Sequence, residues 1–88
     1  MDEKKQYIWQ LADFLTSKNK VMSVKELADH LNRNGFVTEY DTEFKGERGT
    51  FTLIRVTYKW LNEELKLRDE ATKVAGAYVN ETGGYAYE

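Results

Sequence analysis

Not one of the 88 residues is a cysteine, and for so short a chain this is the tightest constraint in the sequence. With no disulfide framework and no thiolate metal site available, stability must come from side chains packed in a single core. Residues 1–88 are therefore read as one domain. The payload is adequate: 41% of residues are hydrophobic and 14% are aromatic, the bulkiest way to fill a small interior. No apolar run approaches the roughly 20 residues that span a bilayer. The opening Met1-Asp2-Glu3-Lys4-Lys5 has no apolar stretch of a secretion signal, so a cytoplasmic protein without membrane contact is expected.

With no proline and no internal repeat, organisation is read from periodicity. Residues 4–17 predict a first helix, with Tyr7, Ile8, Leu11, Ala12, Phe14 and Leu15 on a wide apolar stripe. Trp9 falls at its edge, either capping the core or exposed. Residues 17–20 read as a turn, and Val21-Met22 as a brief extended pair. The clearest start signal follows. Ser23-Val24-Lys25-Glu26 is a capping box, in which the serine oxygen takes the Glu26 amide and the glutamate reaches back. Val24, Leu27, Ala28 and Leu31 then share one face, and Asn34-Gly35 supplies a left-handed stop with Phe36 placed to pack back.

From Phe36 to Phe44 the pattern changes to period two, which predicts an extended segment or edge strand, its acidic side chains discouraging edge pairing. After a turn at residues 46–49, residues 50–65 predict the longest helix, with three sectors. Phe51, Ile54, Tyr58, Leu61 and Leu65 form a core stripe. Thr52, Arg55, Lys59, Asn62 and Lys66 form a polar, mainly basic face, and Leu53, Val56 and Trp60 form a second apolar strip. Such a helix either runs through the middle of the domain or offers one strip to a partner. Ala71, Val74, Ala75 and Tyr78 favour a fourth helix over residues 69–79, with Asp69 as its cap, over one strand of a hairpin. A turn at residues 80–84 and a short strand at 85–87 close the chain.

Catalytic chemistry finds little to work with. His30 is the sole histidine, so no metal cluster or Cys-His pair can be assembled around it. Glu39, Asp41 and Glu43 could line one face with oxygen ligands, but such sites usually draw on a tight loop, and acidic edge residues are ordinary. Neither an enzyme nor a metal nor a cofactor is expected.

The net charge of −2 conceals a local excess: residues 45–59 carry Lys45, Arg48, Arg55 and Lys59 against Glu47 alone. Ser23-Val24-Lys25-Glu26-Leu27-Ala28-Asp29-His30-Leu31 resembles the support helix of winged helix-turn-helix regulators, closely over these residues and loosely over 4–65. The expected fold is an α-rich α+β domain: the resemblance implies a helix-turn-helix-like trihelical core, and the periodicity adds a fourth helix and minor strands. The resemblance also implies a small bacterial or phage transcriptional regulator that binds double-stranded DNA. In that family the following helix enters the major groove. Here this puts Thr50, Thr52, Arg55 and Lys59 on DNA, with Lys45 and Arg48 in the preceding turn. Arg55 has the fork for a guanine edge, while Lys45, Arg48 and Lys59 suit phosphates, as does Thr50 with the free amides at the helix start. The sequence departs from the family in two ways. There are 14 residues between Gly35 and Thr50, where a tight turn needs three or four, and a wing tip at residues 80–84 would carry Glu81 and no cation.

Two other readings stand beside this one. Leu53, Val56 and Trp60 could serve a homodimer or a protein partner, making the domain an adaptor or inhibitor, or they could lie under the fourth helix. Gly46-Glu47-Arg48-Gly49 is similar to the Gly-x-x-Gly loop of KH domains, which clamps single-stranded backbone, although those domains place a helix directly before that loop.

Overall fold

The computed structural model describes residues 3–38, 40–45, 48–80 and 84. Its elements run α1 (Glu3–Ser17), β1 (Met22–Ser23), α2 (Val24–Arg33), α3 (Arg48–Lys59), a π-helical segment (Trp60–Glu64) that continues α3, α4 (Arg68–Ala77) and β2 (Tyr78–Val79). The fold is α-rich, with a small sheet. The fourth helix forms, although its N-cap position is Leu67, which supplies no side-chain bond, and Asp69 sits inside the first turn.

Each helix contributes a narrow buried stripe to one shared core. From α1 come Ile8, Ala12 and Leu15, from α2 Val24, Leu27, Ala28 and Leu31, from the long third helix Ile54 and Leu61, and from α4 Ala71, Val74 and Ala77. The α1 stripe is narrower than its sequence suggests. Phe14 lies well outside the arc of Ile8, Ala12 and Leu15 at about 100° per residue, and it is 56% exposed. Tyr78 is fully buried where α4 gives way to β2, and its hydroxyl donates to the Ile8 carbonyl at 2.7 Å.

Helix ends are set by local chemistry. The Ser23 side chain accepts from the Glu26 amide at 3.1 Å, the serine half of the expected capping box. Three helices stop on a left-handed residue: Asn19 (φ 54°) after α1, Gly35 (φ 80°) after α2, and Lys66 (φ 59°) after the π-helical segment. In each case the next amide reaches back into the last turn, Lys20 to Leu15, Phe36 to Leu31 and Leu67 to Leu61.

Two expectations fail in instructive ways. Among the described residues of 36–44 there is no strand. The chain turns back on itself, with the Thr38 amide on the Thr42 carbonyl at 2.8 Å and Asp41 left-handed at φ 62°. Nor is a strand needed to satisfy Phe44: the Asn32 side chain accepts from its amide at 2.8 Å and donates to its carbonyl at 2.9 Å. One side-chain amide thus takes the place of a neighbouring strand. The sheet forms elsewhere, as a parallel pairing of Met22 with Tyr78 and Ser23 with Val79. The strand expected at 85–87 lies outside the described residues, as do residues 46–47 of the expected turn and 81–83 of the expected wing tip.

The second failure is Leu65. At α-helical spacing it continues the core stripe, yet it is 39% exposed. From Trp60 the bonding pattern widens, with the Leu65 amide reaching the Trp60 carbonyl five residues back. Each residue of a π-turn advances through a smaller angle, so Leu65 falls short of the buried face.

Candidate nucleic-acid interface

The long helix has two unlike sides. Toward the interior, Thr50, Ile54, Thr57 and Leu61 are fully buried. Thr57 satisfies its hydroxyl by donating to the Leu53 carbonyl at 2.7 Å, whereas the Thr50 hydroxyl oxygen has no partner among the described residues. Phe51, Leu53, Tyr58 and Trp60 flank this line and pack against the core. Toward solvent lie Thr52, Arg55, Val56 and Lys59, within an arc of roughly 100° at helical spacing. The exposed acids Glu63 and Glu64 bound this face at its far end.

Arg55 and Lys59 stand one turn apart, with Cβ atoms about 5–6 Å apart by helical geometry. Among the described residues neither has an ion-pair partner, since the pairs formed both involve Lys73. The exposed Asp41 and Glu43 therefore do not fold over the basic face as neutralising partners. Two like charges at this spacing destabilise a helix by about 0.2–0.5 kcal/mol. The core does not require them. This is a face the fold tolerates at a small cost.

The structure separates the expected DNA contacts into groups. Thr52, Arg55 and Lys59 share the exposed face, and Lys45 is exposed in the segment leading to it. Arg48 begins α3, so it belongs to the helix and not to a preceding turn; its side chain lies outside the described residues. Thr50 must be corrected. It is fully buried, facing the core from the first turn of α3, and cannot touch a phosphate from there. A threonine at a helix start reads as a capping or binding residue in sequence, but the helix starts two residues earlier than its periodicity suggests.

The proposed apolar strip must also be corrected. Leu53 and Trp60 pack against the core, leaving Val56 as its exposed member at 40%. Trp60 meets the edge of Trp9 at 5.9 Å between ring centroids, with Lys5 above it at 5.6 Å. For Trp60 part of the covering comes from Trp9 of α1, which is tied to α4 by its indole donating to Glu70 at 2.9 Å, and α4 itself packs on α3 and on the π-helical segment. Trp9 is thus an edge-of-core residue with a satisfied polar tip.

The α1–α4 seam shows how this protein treats charges it needs for structure. Lys73 donates to Asp13 on α1 at 2.9 Å and to Glu70 at 3.2 Å. Those two hydrogen bonds hold its ammonium above the ordinary lysine range. An open groove of about 520 Å³ beside it is lined by Gln10, Asp13, Phe14, Thr16, Ser17 and Lys73, so its cation is already matched by Asp13. His30 is half-buried on α2, and among the described residues no group of acids, histidines or cysteines is arranged to hold a metal.

Sequence reasoning missed Asn32, Thr57, Glu70 and Tyr78 as fixed points of the frame. Thr57 left a trace, since it falls on the inward line between Ile54 and Leu61, and so did Tyr78, which sits on the apolar spacing of the fourth helix. No protein-family model, curated protein or solved structure matches the chain.

Proposed function

We propose that this domain binds double-stranded DNA, with the outer face of α3 in the major groove, and that it serves as a transcriptional regulator of the bacterial or phage kind. One observation carries the reading: Arg55 and Lys59 are exposed, adjacent and without acidic partners among the described residues, on a helix whose opposite side is locked into the core. A rigid helix bearing unneutralised cations suits a polyanion, because each phosphate contact releases condensed counterions. Arg55 presents a planar fork for a guanine edge, Lys59 and Lys45 present point charges for phosphates, and Thr52 lies on the same face. The excess of acid elsewhere limits binding to this face and predicts modest affinity at physiological salt.

Fluorescence anisotropy with a labelled random duplex tests this directly. Binding is expected at low salt and should weaken linearly in log–log form, with a slope of about −0.9 per phosphate contacted. The double variant Arg55→Glu, Lys59→Glu should lose about 100-fold in affinity while keeping its helical circular dichroism. A wild-type chain with no affinity for duplex at low salt, or a double variant that binds like wild type, overturns the proposal.

A further inference from the structure

Val56 is the apolar side chain on the outer face of α3, among the described residues. It is 40% exposed, whereas its strip neighbours Leu53 and Trp60 turn inward to pack. On this face it stands next to Arg55, one turn from Thr52 and one turn from Lys59. A β-branched residue is also a poor choice for an exposed helix interior, where alanine, lysine or glutamate hold the helix better. Sequences break such local rules at functional or strained sites.

We infer that Val56 is a sequence-reading residue that packs against the C5-methyl of thymine in the major groove. The inference rests on the DNA-binding reading above and adds a base preference to it. The charge beside Val56 selects the occupant: an apolar group on the flank of a face that carries Arg55 and Lys59 complements a surface where methyls lie beside phosphates. The major groove offers this arrangement, with the thymine methyl as its apolar feature, and it is about 12 Å wide, enough to admit a helix. Arg55 and Val56 occupy opposite flanks of the exposed arc, so the face would read guanine on one flank and thymine on the other.

The test uses the full chain and duplexes enriched from an unmethylated random pool. Each enriched duplex is made again with deoxyuridine for thymidine, which removes the methyl and keeps the O4 acceptor. Wild type should bind the uracil form about fourfold more weakly per methyl contacted, from the burial free energy of one such group. Val56→Ala should bind the thymine form at the weaker level and be indifferent to the exchange, and Val56→Ile should keep the preference. Since position 56 is exposed and alanine favours helix, these variants should melt like wild type.

Equal binding of both forms by wild type, with duplex binding intact, overturns the inference and leaves the DNA-binding reading standing. The inference fails in the same way if Val56→Ala keeps the thymine preference, or if it changes only the sedimentation of the chain, which would make Val56 a protein contact. Failure to bind any duplex overturns both readings.

Discussion

The seam between α1 and α4 and the outer face of α3 use the same kinds of side chain to opposite ends. Along the seam, polar groups are matched across the two helices or their ends: Lys73 with Asp13 and Glu70, the Trp9 indole with Glu70, the Tyr78 hydroxyl with the Ile8 carbonyl. On the face, Arg55 and Lys59 repel one another and, among the described residues, meet no acid. A charge that is matched at home stabilises the fold and has little left to offer a ligand. An unmatched charge gives up a little stability and keeps its field for something outside.

The largest expected effect lies at the buried end of the seam. Tyr78→Phe removes the hydroxyl bond to the Ile8 carbonyl, which keeps its helical bond, and should cost about 1.5 kcal/mol in urea unfolding. Burial, with a smaller contribution from Tyr7, raises the Tyr78 phenol well above its ordinary value of 10.0. In the unfolded chain it ionises near that ordinary value. Its contribution is therefore fully present below pH 10 and is lost as the pH rises beyond it. Wild type should lose stability above pH 10 more steeply than Tyr78→Phe. Equal slopes would mean that the seam is wet and less different from the face than it looks.

A smaller effect, of opposite sign, is expected on the inner side of α3. Thr50 and Thr57 are both fully buried, but among the described residues only Thr57 has a partner for its hydroxyl. Thr50→Val removes an unsatisfied polar group at nearly constant volume and should stabilise the domain by about 1 kcal/mol, with duplex affinity unchanged. A loss of affinity in this variant would return Thr50 to the proposed DNA-contacting set.

Smallest is the direct contrast between cations. Lys73→Met should lower the melting temperature slightly, and the deficit should shrink in high salt, which screens partly exposed pairs. It should shrink also as the pH climbs past 10.5, because a lysine whose folded value is raised stabilises below its unfolded value and loses that contribution above it. Arg55→Met should leave the melting temperature unchanged or raise it, since it relieves repulsion with Lys59. If both variants melt lower by the same amount, the distinction between seam and face collapses.

What could be read from the residues was whatever is decided locally. The α2 helix is the best case: its cap, its apolar face and its stop all lie within Ser23 to Phe36, and the structure reproduces each. The alternation from Phe36 to Phe44 misled because period two describes side chains, whereas chain reversal at Thr38–Thr42 depends on backbone bonds and on an asparagine 12 residues before Phe44. Leu65 misled because a widened turn shifts the phase of everything after it, and composition gives no sign of such a turn. For the outer face of α3, Thr52, Arg55 and Lys59 were legible because exposure follows from facing away from Ile54 and Leu61. Thr50 was not, because it required the true start of the helix.

The clasp that Asn32 makes on Phe44 separates that stretch of chain from the rest of the molecule. Phe36 is held by its amide on Leu31 and by its ring 5.4 Å from Tyr7, and Phe44 is held by Asn32. Both anchor points are thus fixed independently of what runs between them. Lengthening the connecting segment then costs only closure entropy, about 0.6 kcal/mol per doubling. Tyr40, 84% exposed within this segment, marks a position where foreign sequence, a fluorophore or an affinity epitope could be spliced in without disturbing the helices.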